Sequence, residues 1–158
     1  MEMPDNHWKA RRLATFDYSS VDHPYFLTLR AAPGMSPFGD PSLAQAVIDG
    51  IHWLRTERKV TVYAYTVMPD HLHLLVQLGT DQWSISSLVK SLKRHVTRHH
   101  WNQETDGPLW QDRFYDHVVR RAEDGRSIAH YILLNPVRRG LVQDVEEYPF
   151  SGTPDPLE

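Results

Sequence analysis

The stretch from Val60 to Leu78, VTVYAYTVMPDHLHLLVQL, constrains the fold more than any other part of the chain. Two runs of β-branched, aliphatic and aromatic residues flank Met68-Pro69-Asp70. Pro-Asp is a turn signal, and apolar runs on both sides of it predict an antiparallel hairpin. Successive side chains of a strand point to opposite faces, so His71 and His73 share a face with Leu75 and Gln77. Leu72, Leu74, Val76 and Leu78 make an unbroken apolar face on the other side, suited to packing under helices. Two imidazoles side by side on a rigid strand could hold one metal ion. With 10 histidines in 158 residues, roughly 0.6 His-x-His tripeptides are expected by chance. The weight therefore rests on its place, at the mouth of a strand just after a turn.

Around the hairpin the pattern alternates. Tyr25 to Arg30 reads as a first strand, and Ala31 to Pro41 as a loop. Asp40 to Lys59 has helical spacing, with Leu43, Val47, Ile51 and Leu54 on one face and Ser42, or Asp40 before Pro41, as the cap. His52 and Trp53 on this helix read as packing or surface residues. Trp83 to Asn102 is a second helix with the stripe Ile85, Leu88, Leu92 and Val96. Its acid-free length carries Lys90, Lys93, Arg94 and Arg98, a one-signed set suited to phosphate contact. His95 and His99 stand i, i+4 on it, but Val96 occupies the glutamate position of a zinc-protease motif, which favours a surface pair facing nucleic acid. Leu109 to Arg120 reads as a loop entering a fourth strand, and Glu123 to Asn135 as a third helix. Pro136 biases Asn135 away from the α region, so Asn135 could end that helix and cap a short turn, Pro136 to Arg139, that stops at Gly140. Leu141 to Glu158 reads as a loop over the domain edge.

Strand, helix, strand, strand, helix, strand is the order of an α+β, ferredoxin-like split β-α-β sandwich. Two helices should cover one face of its antiparallel sheet, leaving the histidine face to the third. The expected organisation is a basic arm over residues 1–20, one domain over 21–152 and a tail over 153–158. The arm gathers Lys9, Arg11 and Arg12 around Trp8. A net charge of -3 excludes a globally basic nucleic-acid binder, so any DNA contact must be local. The absence of cysteine excludes disulfides and thiolate zinc sites. With neither a signal-like N-terminus nor a membrane-length apolar run, a cytoplasmic protein without membrane contact is the expectation.

Tyr131 and Asn135 lie one helical turn apart and project from the same side. If that side covers the histidine face, the site combines two imidazoles, an amide oxygen and a phenol. Imidazole and amide oxygen leave a divalent metal open positions for phosphate oxygens, and the tyrosine can serve as nucleophile. Tyr115 is a rival nucleophile, and His117 and His130 are rival ligands. A water-using zinc hydrolase on His71, His73 and His117 is a competing reading, though no glutamate stands close by in sequence as general base.

His71-Leu72-His73 after Met68-Pro69-Asp70 resembles the HUH motif of single-tyrosine transposases. SLKRHVTRHHWN, LWQDRFYDHVVR and YILLNPVRRGLV resemble the REP-associated tyrosine transposases, in that family's order, from about Tyr25 to Ser151. The resemblance implies Tyr131 as nucleophile, His71, His73 and Asn135 as metal ligands, and Mg2+ or Mn2+ as the metal. It implies cutting of single-stranded DNA near an imperfect hairpin, leaving a 5′-phosphotyrosine and a free 3′-hydroxyl, so that rejoining needs no ATP. Lys90, Lys93, Arg94 and Arg98 would contact the DNA by charge, and Trp110 and Phe114 by base stacking. A relative that binds hairpin DNA without cutting it is the alternative. Both monomers and homodimers are compatible with the resemblance. The short linker between Arg120 and Glu123 suggests that the tyrosine helix stays in its own chain.

Overall fold

The computed structural model describes residues 17–102 and 108–157, with the backbone alone for 100–102. Most of the expected basic arm, residues 1–16, lies outside the described residues. The elements follow in the order β1 (Tyr25–Ala31), α1 (Pro41–Glu57), β2 (Thr61–Met68), β3 (His71–Gln77), α2 (Ile85–Asn102), β4 (Trp110–Val118), α3 (Ala122–Arg138) and β5 (Ser151–Gly152). The sheet order is β4-β1-β3-β2-β5, with every neighbouring pair antiparallel. Its first four strands, with α1 and α2, form the expected split β-α-β sandwich.

The hairpin turns on Pro69-Asp70 alone, since Met68 already pairs with His71. Alternation along β3 then divides the molecule into two cores. Leu72, Leu74, Val76 and the neighbouring Leu78 join Leu27, Leu29, Ile51, Leu54, Leu92 and Val96 in the core under α1 and α2. Leu75 faces the other way and packs with Phe26, Ala64, Val119, Ile128 and Ile132 beneath α3. The histidines therefore lie on the α3 side.

Pro41 opens α1 and the Asp40 carboxylate accepts from the Ser42 amide at 2.9 Å, the expected cap. Gly50 lets α2 approach: a Cβ there would lie 2.8 Å from Leu92 Cδ1 and 3.1 Å from His95 Cδ2.

Four expectations are corrected. The helix does not end at Asn135 but runs through Pro136 to Arg138. Pro136 has no amide hydrogen to give the Ile132 carbonyl, and Thr66 Oγ1 on β2 supplies the missing bond at 2.9 Å. The segment entered as a loop at Leu109 is strand from Trp110 onward, zipped to β1 with a bulge between Leu29 and Ala31. The tail is more than a covering loop: Ser151 and Gly152 pair with β2, and the Val67 amide donates to the Phe150 carbonyl. Asp155 then grips both the Val62 amide, at 2.8 Å, and the Arg55 guanidinium, at 2.6 and 3.0 Å. At the other end, Tyr18 packs on the helix-side core and its carbonyl accepts from the Ile85 amide. Residues 17–20 and Asp155 thus belong to the packed domain, because each supplies a partner that the sheet or a helix end lacks.

Candidate active site

His71 and His73 stand at the turn end of β3 with their ring centroids 4.6 Å apart. Each ring is held through Nδ1. The Asp70 carboxylate lies 2.7 Å from His71 Nδ1, and the Thr28 hydroxyl 2.9 Å from His73 Nδ1. A proton on each Nδ1 makes each Nε2 the ring's acceptor atom, the arrangement by which second partners orient metal-binding imidazoles.

Both rings are buried, and burial is the main cause that lowers both pKa values. For His71 the Asp70 carboxylate opposes the shift. For His73 the value falls well below the ordinary one, with His71, Arg30, Arg138 and Arg139 adding to the effect of burial. The His71–Asp70 contact is therefore a hydrogen bond from a neutral imidazole. Neutral rings are what a metal requires.

The α3 helix crosses β2 and β3 and closes the site. Asn135 is buried, with its Nδ2 3.3 Å from His71 Nε2. The same amide turned over would present Oδ1. One turn earlier, Tyr131 places its ring 6.0 Å from that of His73 and 6.1 Å from that of Phe26. Arg138 lies over the Tyr131 ring, its guanidinium carbon 3.9 Å from the centroid. Two neutral imidazoles and one amide fit a divalent ion that keeps several open positions.

The rival residues sit elsewhere. Tyr115 is on the same sheet face opposite Thr28, but its ring packs on Phe26 and its hydroxyl oxygen is shielded from solvent. His117 lies opposite Phe26, farther from the turn, and His130 is exposed on α3. Among the described residues no three His, Cys, Asp or Glu side chains are grouped to hold a metal, so the three-histidine zinc site does not form. His95 stacks on Trp53 with centroids 6.1 Å apart, and His99 Nε2 lies 3.2 Å from Ser42 Oγ. Both histidines thus contact α1, His95 beside the close helix crossing at Gly50 and His99 at the start of α1.

The expected DNA contacts separate in the structure. Lys90, Arg94 and Arg98 are exposed on α2, across the sheet from Tyr131. Lys93 is half-buried and donates to the Gln111 carbonyl at 2.7 Å, and burial lowers its pKa. Trp110 is a correction: its indole is 9% exposed and packs on Phe38 at 4.9 Å between centroids, so no ring face is open to a base. Phe114 is half-buried beside a groove of about 580 Å³ at the β4 edge, which Thr28, Arg30, Arg113 and Tyr115 also line. The sequence reading missed Thr28, whose partnership with His73 depends on strand register. It also missed Arg30, Arg138 and Arg139, although the Arg pair stands plainly in NPVRRG.

The family model described as "Transposase IS200 like" matches residues 38–134, a span that contains His71, His73 and Tyr131. The chain belongs to the IS200-like transposase family. It is 32% identical over 98 residues to a REP-associated tyrosine transposase of Escherichia coli K12, covering 62% of this chain and 57% of that protein. The chain spans a little over half the length of the curated relatives it matches. A solved REP-associated tyrosine transposase bound to a REP hairpin superposes with a TM-score of 0.70 at 26% identity, covering 90% of this chain and 81% of that one. A crystal structure of a provisionally assigned transposase from Deinococcus radiodurans, at 22% identity and a TM-score of 0.53 over 77% of this chain and 98% of that one, bears on the fold alone. The resemblance to REP-associated tyrosine transposases thus holds in sequence and in fold. No helix among the described residues is long and apolar enough to cross a membrane.

Proposed function

We propose that this chain cuts and rejoins single-stranded DNA beside a hairpin, using Tyr131 as nucleophile and a divalent metal, Mg2+ or Mn2+, on His71, His73 and Asn135. The observation that carries the reading is the convergence of a buried neutral imidazole pair, the Asn135 amide and the Tyr131 phenol. The hairpin bound to the structural relative supports the substrate class. When bound, the metal would supply positive charge to the phosphate oxygens.

The chain's own residues do the rest. Asp70 and Thr28 fix the imidazoles, and α3 fixes the tyrosine against them. Tyr131 Oη bonds to phosphorus as the bond from phosphorus to the 3′ oxygen breaks. The phenol's proton goes to solvent, and the departing 3′ oxygen takes one from solvent. The products are a 5′-phosphotyrosine and a 3′-hydroxyl, and the reverse step rejoins the strand.

The test is a denaturing gel with hairpin oligonucleotides drawn from sequence flanking the gene and labelled 3′ of the candidate cut. A labelled protein band that requires Mn2+ or Mg2+ and disappears in Tyr131→Phe is expected. A band that survives the substitution overturns the assignment of Tyr131. Tight binding without any band would instead make the chain a hairpin binder that does not cut.

A further inference from the structure

Two elements bring arginines to the end of the sheet where the imidazole pair stands. Arg30 projects from β1 on the same sheet face as Thr28 and lies opposite His71 in the strand register. Arg138 and Arg139 stand at the end of α3, the helix that brings Tyr131 and Asn135 to the site. Among the described residues none of the three is engaged in an ion pair. Arg138 differs from the other two because its guanidinium carbon lies over the Tyr131 ring, 3.9 Å from the centroid. A guanidinium held over an aromatic ring is attracted by the ring while its five N–H donors fan outward from the central carbon. Those donors remain available for oxygens, and a planar fork matches two oxygens of one phosphate.

We propose that Arg138 is the phosphate-holding arm of this site, gripping non-bridging oxygens of the phosphodiester that Tyr131 attacks. This rests on the reading of Tyr131 as nucleophile. That contact couples donor and nucleophile, so a phosphate held by Arg138 is held beside Tyr131. Arg30, opposite His71 on β1, adds positive charge at the same end of the sheet. A basic side chain in the last turn of a helix also complements the helix dipole. That role alone needs neither the aromatic seat nor any contact with DNA.

The test compares Arg138→Gln, Arg138→Lys and Arg126→Gln with wild type. Arg126 is exposed on α3, about 18 Å along the helix from Arg138 at 1.5 Å per residue. First, affinity for a single-stranded hairpin oligonucleotide is measured against salt in EDTA, where no cutting is expected. Losing one phosphate contact should flatten the slope of log K against log salt by about 0.7 in Arg138→Gln. Arg138→Lys should keep most of the slope, and Arg126→Gln should keep all of it. Second, with Mn2+ and saturating DNA, the rate of adduct formation should fall on the order of 100-fold in Arg138→Gln. Arg138→Lys should recover part of that loss, since an ammonium keeps the charge but not the fork.

An unchanged salt slope in a folded Arg138→Gln protein overturns the proposal whatever the cutting assay gives. So does a slope that falls equally in Arg126→Gln. An adduct that survives Tyr131→Phe while the Arg138→Gln slope falls would remove the nucleophile assignment and leave the phosphate contact. An adduct lost in Tyr131→Phe beside normal Arg138→Gln behaviour would do the reverse.

Discussion

Replacing Thr66 with valine tests how α3, the helix that carries the site, passes its internal proline. Thr66 is fully buried, and its hydroxyl donates to the Ile132 carbonyl at 2.9 Å. The side chain is nearly isosteric with valine, so Thr66→Val removes the hydrogen bond while leaving the packing volume almost unchanged. The carbonyl cannot recover its usual helical partner, because residue 136 is proline. A buried carbonyl left without a donor costs about 1–3 kcal/mol. In a domain of this size each kcal/mol moves the melting midpoint by about 2–4 °C, so a cost near 2 kcal/mol should lower it by roughly 4–8 °C. Chemical denaturation and a thermal melt measure this directly. A second background sharpens the assay. Pro136→Ala restores an amide that can reach the Ile132 carbonyl, so Thr66→Val should cost about 1 kcal/mol less there than in the wild-type background. Thr66→Ser, which keeps the hydroxyl, should retain part of the stability. Because Ile132 lies between Tyr131 and Asn135, loosening its seat should also slow adduct formation at saturating DNA. A Thr66→Val protein that melts with wild type, or a penalty identical in both backgrounds, would refute the account.

Three further outcomes follow from the same geometry. Asp155→Asn should cost about 1 kcal/mol near neutral pH, since both partners are partly exposed. Hydrogen bonding from Arg55 lowers the Asp155 pKa, so its contribution is present above the unfolded carboxylate value and lost as pH falls through the folded one. Urea midpoints taken from neutral to acid pH should therefore converge for wild type and Asp155→Asn. His73, depressed chiefly by burial, stays neutral in the folded chain while the unfolded imidazole takes up a proton near pH 6.5. Stability should therefore fall as the pH drops below that value, with a weaker dependence in His73→Gln in the same denaturation series. Trp110→Ala should cost about 3–5 kcal/mol by emptying the core beside Phe38, whereas a base-stacking role predicts a loss of DNA affinity in a still-stable protein. Paired melts and oligonucleotide titrations of Trp110→Phe distinguish the two, with DNA affinity expected to stay at the wild-type level.

How much of this was legible in the sequence depends on whether the physics is local. The hairpin at Pro69-Asp70, the division of β3 into two faces and the stripes of α1 and α2 are local patterns, and each appears in the structure where the pattern put it. Tyr131 and Asn135 reach one site because a helical turn carries them there, which four residues of spacing suffice to show. Where a distant partner decides, the local reading fails. Pro136 is a helix breaker by its own chemistry, and the expected stop at Asn135 followed from it. The helix continues because Thr66, far away in sequence on β2, repairs the one carbonyl that proline abandons. Trp110 reads as an open stacking platform until Phe38 covers it, and Lys93 reads as a surface cation until Gln111 claims it. The consequence for the site is specific. Had the helix stopped at Asn135, the chain beyond it would no longer be helical, and Arg138 would lose the i, i+7 relation that sets it on the Tyr131 ring. The hydroxyl of Thr66 thus carries two turns of geometry: it lets α3 pass a proline, and so brings a guanidinium over the residue assigned as nucleophile.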